Sequence, residues 1–221
     1  MSYFCIFKIP FFFTEYLVIP KLNKNKLQEL LNGKLPGYSA QAKMEPEHRI
    51  RTSAGNDCRE AAVLLLLYTD QDTLRVVFMK RNEYDGPHSG QISFPGGMKE
   101  ESDADLKITA LRETEEETGV PMCDIEILGA LSSILIPVSN FCVFPFVGWV
   151  DKRPEFNPDK SEVQYLICPS LEDILDTANR KYGNIERRGN QISTPYFEFD
   201  GEIIWGATAM VLMEFIALLG Y

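Results

Sequence analysis

The chain has 221 residues and a net charge of −10, with 22 basic against 32 acidic side chains. That length supports a domain with a core of its own, and the acidic balance argues against non-specific nucleic-acid binding, which depends on phosphate neutralisation by Lys and Arg. The five cysteines include no C-x-x-C pair, which argues against a zinc cluster or a disulfide framework and for reduced thiols in a cytoplasmic protein.

Residues 3–19 are apolar and aromatic but are interrupted by Lys8, Pro10 and Glu15. This is too broken for a membrane-spanning helix and lacks the marks of a signal peptide. Residues 1–25 are therefore set apart as an N-terminal extension or extra packed strand, and 26–221 as a single domain. Residues 24–32 predict a short helix stopped at Asn32-Gly33, followed by a Gly- and Pro-rich loop. The runs 61–68 and 73–80, separated by TDQD, predict a hairpin. A short strand is expected at Gln91–Phe94. Residues 104–118 carry good helix formers without Gly or Pro, and Gly119 supplies the stop. Strands follow at 125–136, 142–150 and 163–167, then a helix over 170–177. After a polar loop, PYFEF and EIIWG predict a second hairpin around Asp200-Gly201, and ATAMVLMEFIALL a packed C-terminal helix. Mixed strands and helices in this order indicate an α/β or α+β domain.

The segment Arg112-Glu113-Thr114-Glu115-Glu116-Glu117 carries the chemistry. At about 100° per residue, Glu116 falls about −60° and Glu117 about +40° from Glu113, so three carboxylates share one arc while Glu115 points away. Like charges at this spacing weaken an isolated helix. A divalent cation reverses the sign, because Mg²⁺ is held by carboxylates together with substrate phosphates. Arg112 lies about 40° from Glu116 and can pin it. Upstream, Phe94-Pro95-Gly96-Gly97 permits a sharp turn and close backbone approach.

These residues resemble a known family. GGMKEESDADLKITALRETEEETGV (96–120) is similar to a Nudix box, and RETEEETGV matches its Arg-Glu, Glu-Glu and Gly spacing. Asp103, with eight residues between it and Arg112, stands in for an upstream Glu with seven, and Thr114 replaces an aliphatic residue. The stretch 78–97, with Arg81, Gly90 and Phe94 to Gly97, resembles the coenzyme A pyrophosphatase branch, as do 35–46, 136–141 and 204–209. Asn82 departs from that pattern, and so does Gly86, which stands where an Arg is usual.

The resemblance implies a Nudix-type α/β/α sandwich with a mixed β-sheet and a loop-helix-loop box. It implies a Mg²⁺- or Mn²⁺-dependent hydrolase that cleaves the diphosphate of coenzyme A or an acyl derivative to 4′-phosphopantetheine and adenosine 3′,5′-bisphosphate. The implied metal ligands are Glu113, Glu117, Glu116 and the Gly97 carbonyl, with Arg112 orienting the glutamates. Glu116 is the first candidate for the general base and Glu162 the second. Arg81, His88 and Gly96 are implied substrate contacts, and Arg51, Arg75 and Lys80 are further candidates for phosphate. Trp205 reads as a packing residue and His48 as a surface one. Another nucleoside diphosphate conjugate, such as an ADP-sugar or a dinucleotide, stays open as substrate, as does a non-catalytic nucleotide-binding regulatory domain. The expected partner is a small-molecule nucleotide conjugate, with no nucleic acid and no membrane span; homodimer formation stays open.

Overall fold

A computed structural model of the protein describes residues 22–47, 49, 58–86, 88–187 and 189–221. The N-terminal stretch through residue 21, His48 and Arg51 lie outside the described residues.

The centre of the fold is β1 (Arg59–Asp70). Successive strand residues face opposite sides, and here both sides are buried. Ala61, Leu65 and Leu67 join one apolar cluster, whereas Ala62, Leu64, Leu66 and Tyr68 join another. β1 pairs in parallel with β8 (Phe141–Val150) over ten residues and antiparallel with β2 (Thr73–Val76) and β5 (Gly96–Met98). β6 (Glu126–Ala130) and β7 (Ile134–Ile136) both run antiparallel to β8, which completes a mixed sheet.

Helices cover both faces. α1 (Lys24–Leu31) buries Leu27 and Leu31 in the first cluster, and α5 (Gly206–Leu218), apolar nearly all round, packs there too. The short α2 (Tyr38–Gln41), in a region expected to be loop, lies beside α5. On the opposite face α3 (Leu106–Thr118) contributes Ala110, Leu106 and Leu111 to the second cluster. The α/β/α sandwich is therefore present, with the mixed sheet between the helical layers.

The expected strand 73–80 breaks in two. Val77 donates its N–H to the Leu66 carbonyl (3.0 Å), after which β3 (Phe78–Arg81) leaves the main sheet to pair with β4 (Ile92–Ser93) and β9 (Val163–Ile167). The run 125–136 likewise divides into β6 and β7. α4 (Leu171–Leu175) starts with a capping box between Ser170 and Asp173. The expected polar loop after it is instead β10 (Arg180–Arg187) and the first half of β11 (Asn190–Phe199), which pair with each other; the second half of β11 forms the expected hairpin with β12 (Glu202–Trp205) around Asp200-Gly201. Half of the residues of β10 are exposed and none is buried, so it lacks the apolar alternation by which a strand is recognised.

The reduced-thiol expectation fails at one pair. Cys58 and Cys142 form a disulfide, with Cα atoms 5.6 Å apart. The parallel ladder places Glu60 opposite Cys142 and brings together cysteines that are 84 positions apart in sequence; spacing alone does not reveal such a pair. Cys123 and Cys168 are free. Among the described residues, no helix is long and apolar enough to cross a membrane.

Candidate active site

The box helix is fixed at both ends. Asp105 accepts N–H bonds from Lys107 and Ile108 as N-cap, and Gly119, in the left-handed region at φ 77°, closes the C-terminus. On its inner face, Thr114 and Thr118 donate their hydroxyls back to the carbonyls of Ala110 and Thr114. A small hydroxyl residue therefore fits at 114, where an aliphatic one was expected.

Glu113 and Glu117 extend from α3 across the two glycines of β5. The Gly96 N–H donates to Glu117 Oε2 at 2.7 Å. A β-carbon on Gly97 would stand 2.4 Å from the Glu113 carboxylate. The glycines thus leave the space the carboxylates occupy, and both acids line a cleft of about 1060 Å³ whose other walls include Ala61 and Val63. Glu162, immediately before β9, lines the same cleft. Its backbone is held by Asn82, whose N–H donates to the Glu162 carbonyl (2.8 Å) and whose side-chain amide donates to the Lys160 carbonyl (2.9 Å). Asn82, a departure from the branch pattern, therefore anchors the loop that carries Glu162.

Three carboxylates in one partly apolar cleft create electrostatic stress. The Glu117 side chain is 3% exposed, and burial pushes its carboxyl up to about 8 even with Arg81 Nη2 at 3.3 Å and the Gly96 N–H bond. Burial also raises Glu113, against the opposing charge of Arg112, and the negative charge of Glu162 adds to the rise at both residues. The donor set is all oxygen and short of positive charge, which suits a hard divalent cation. Among the described residues, no group of three or more His, Cys, Asp or Glu is already arranged as a metal cage. Glu117 is turned onto Gly96 and Arg81, and Glu113 onto Arg112, whose Nη1 stands at 3.0 Å.

Arg112 is the hub beside the cleft and is absent from its lining. Its Nε and Nη2 donate to Asp103 at 3.0 and 3.1 Å, its Nη1 to Glu116 at 3.0 Å and its Nη2 to the Met98 carbonyl at 3.3 Å. The Arg112 fork, a backbone N–H from Glu100 and the Thr109 hydroxyl hold the buried Asp103 carboxyl well below the usual carboxylate range. Glu116 sits with Arg112 at the rim, 58% exposed and outside the cleft lining.

Of the other expected residues, Arg81, His88, Gly96 and Gly97 line the cleft, whereas Arg75 and Lys80 are not in its wall. Arg81 donates to the Gly96 carbonyl (2.9 Å) and to the Ser93 hydroxyl (3.2 Å). His88, at φ 68°, is within hydrogen-bonding distance of Gln91 (3.1 Å) and Ser139 (3.3 Å), and burial lowers its pKa. Trp205, expected only to pack, also lines the cleft, and so does Arg187, which sequence reasoning passed over because its strand read as polar loop.

The NUDIX domain family matches residues 59–188. Nudix hydrolase 22, chloroplastic, of Arabidopsis thaliana is 35% identical over 163 residues, covering 71% of this chain and 54% of the relative. This chain thus spans about half the length of that plant protein. The Nudix hydrolase NudL of Photorhabdus laumondii is 31% identical over 157 residues, covering 71% of this chain and 82% of the relative. The crystal structure of a NUDIX hydrolase from Alicyclobacillus acidocaldarius superposes with a TM-score of 0.52 at 17% identity, over 75% of this chain and 92% of that one, a likeness of fold. With the matching carboxylate helix and its glycine bed in place, the chain belongs to the Nudix family.

Proposed function

We propose that the protein is a metal-dependent pyrophosphohydrolase acting on a nucleoside diphosphate conjugate, with coenzyme A or acyl-coenzyme A as the favoured substrate. Cleavage gives 4′-phosphopantetheine, or its acyl form, and adenosine 3′,5′-bisphosphate. The observation that carries this reading is that Glu113, Glu117 and Glu162 line one cleft whose walls are otherwise more apolar than polar. Tyr84, Met98 and Val138 stand 49%, 48% and 67% exposed around the same cleft, an apolar rim suited to an uncharged arm beyond the diphosphate.

Glu113 and Glu117, with the Gly97 carbonyl, would hold Mg²⁺ or Mn²⁺, and Glu116 would join them on release from Arg112. A divalent ion there supplies charge neutralisation at the diphosphate and a more acidic bound water. Glu162 accepts the proton of the attacking water as general base, a role favoured over Glu116 by its place in the cleft wall. Arg112 keeps the glutamates in register from behind. His88, neutral and held by Gln91 and Ser139, offers a ring nitrogen to a phosphate oxygen.

A second substrate class, an ADP-sugar or dinucleotide, draws support from Gly86, which leaves no cation where the coenzyme A branch usually has Arg. The test is incubation of purified protein with Mg²⁺ or Mn²⁺ and coenzyme A, ADP-ribose or a dinucleotide, with products read by mass and Glu113→Gln as control. Adenosine bisphosphate released from coenzyme A, and lost in the control, supports the favoured substrate. Cleavage of another conjugate alone replaces it. Absence of any cleavage overturns the hydrolase reading.

A further inference from the structure

β10 is the outer strand of its sheet, and among the described residues it pairs with β11 alone. It is eight residues long, contains no proline and keeps one register with β11 throughout. A strand edge without proline or bulge is a template on which another strand can pair. The direction of its backbone groups follows from a contact outside the β10–β11 pair. The Glu47 N–H donates to the Ser193 carbonyl (3.1 Å), so that carbonyl points away from β10. Ser193 stands opposite Asn184, and theirs is therefore a non-hydrogen-bonded pair of the ladder. Asn184 turns its N–H and C=O to the outer edge, and by alternation so do Arg180, Tyr182 and Glu186.

Charge decides which strand fits this edge. Two copies of β10 related by a two-fold axis run antiparallel, and outward groups must meet outward groups. Two registers keep most of the strand paired. With the axis at Asn184, Lys181 of each copy opposes Arg187 of the other, a like-charge pair made twice. With the axis at Gly183, Arg180 of each copy opposes Glu186 of the other, an opposite-charge pair made twice. Tyr182 then stands opposite Asn184, and no like charges are opposed over 180–186. Arg180 rests its guanidinium over the Phe197 ring, 5.8 Å from the centroid, and its Nε is buried without a hydrogen-bond partner among the described residues. A carboxylate from outside thus meets a cation that the chain leaves short of acceptors, and Glu186 is exposed to provide it. We propose that β10 is a self-association edge, on which a second copy of this chain pairs antiparallel about Gly183 and joins the two three-stranded sheets into one. The charges that discourage a foreign strand here select the register of the chain's own copy. Gln191, Ile192 and Ser193 of β11 stand in the cleft wall, so the pairing braces one wall of each cleft.

The test is sedimentation velocity of the full chain over a range of micromolar concentrations at physiological salt, with circular dichroism to confirm the fold of each variant. The wild type is expected to reach the dimer mass. Arg180→Glu and Glu186→Arg each oppose like charges twice in this register, and each is expected to raise the dimer dissociation constant at least about tenfold. Mixed in equal amounts, the two variants are expected to regain wild-type association, because the substituted side chains then face each other and the native ones do the same. Asn184→Pro removes an outward N–H and none that bonds to β11, so it is expected to be a folded monomer. A monomeric wild type overturns the proposal, whatever else covers the edge. So does a dimer unaffected by the charge variants or by Asn184→Pro, and so does a mixture that associates no better than its components.

Discussion

Gly97 lies so close to Glu113 that a β-carbon on it would come within 2.4 Å of the Glu113 carboxyl carbon, whereas one on Gly96 would meet the backbone of Ala62 at 2.3 Å. The two glycines therefore differ in what they protect. A carboxylate at the end of a flexible side chain can move aside; a strand backbone cannot. Gly97→Ala is expected to fold, with melting within a few degrees of wild type, yet to lose divalent-cation binding by isothermal titration and any cation-dependent turnover. Gly96→Ala, which also forces a side chain onto φ 146°, is expected to reduce the soluble yield and lower the melting temperature sharply. Equal stability of the two variants would contradict this division.

Glu117 is stabilising only when its charge is answered. In the absence of a cation its burial outweighs the help of Arg81, as the upward displacement to about 8 records. Glu117→Gln removes the buried acid and retains a carbonyl oxygen for the Gly96 N–H. In chelator at pH 8 the variant is expected to melt at or above the wild-type temperature, by roughly 1 kcal/mol of stability. With millimolar Mg²⁺ or Mn²⁺ the order reverses, because only the wild type gains linkage stabilisation. A cation-induced shift of equal size in both proteins would remove Glu117 from the ligand set.

Asp103 works in the opposite sense. Its folded-state pKa is depressed, chiefly by the Arg112 hydrogen bonds. Its stabilisation is therefore fully present above the unfolded value near pH 4 and is lost as the pH falls through the lower, folded value. Asp103→Asn is expected to lose about 2 kcal/mol at pH 7 and to show a shallower decline of melting temperature below pH 4 than wild type. Parallel acid limbs in the two proteins would exclude this pairing as the cause.

Asn82 positions Glu162 through backbone contacts and touches the Lys160 carbonyl with its side chain. Asn82→Ala is expected to lower kcat about tenfold, with KM nearly unchanged and the fold intact. Asn82→Ser, shorter but still a donor, is expected to recover part of the loss. A change confined to KM would point to a substrate contact.

The Cys58–Cys142 bond closes a loop with a sequence separation of 84 residues; chain-entropy arguments give it up to about 4.5 kcal/mol. Reductant, or Cys142→Ser, is expected to lower the melting temperature of the oxidised protein by several degrees. Intact-mass measurement after alkylation, with and without prior reduction, reports whether these two thiols are paired.

The carboxylate helix is legible in the chain because its signals are local. Gly119 marks its end, and the spacing of Glu113 and Glu117 alone sets them on one arc; its start, expected at residue 104, falls just after the Asp105 cap. The strand at 163–167 and the turn at Asp200-Gly201 are legible for the same reason. The break at Val77 is not, because it depends on which sheet each half of the run joins. β5 escapes notice because glycine weakens a strand in isolation; here its missing side chains make room for Glu113 and Glu117. The contact of Arg112 with Glu116 is legible from their spacing on the helix, but the exclusion of Glu116 from the cleft wall is not. Arg187 reaches the cleft wall from a sheet whose first strand has no buried residue and carries no apolar period.

The ladder between β1 and β8 has a consequence for how the protein is made. Every pair in it joins residues from opposite sides of the carboxylate helix in the chain. Such pairings form slowly, since a long segment must be closed before any contact repays it. Glu162 follows β8 in the chain, whereas Glu113 and Glu117 precede it. The carboxylate helix can form early from its own caps, but the full acid cluster awaits the joining of the two halves of the domain. Recovery of cation binding during refolding is thus expected to lag behind helix formation and to mark the late closure of the central sheet.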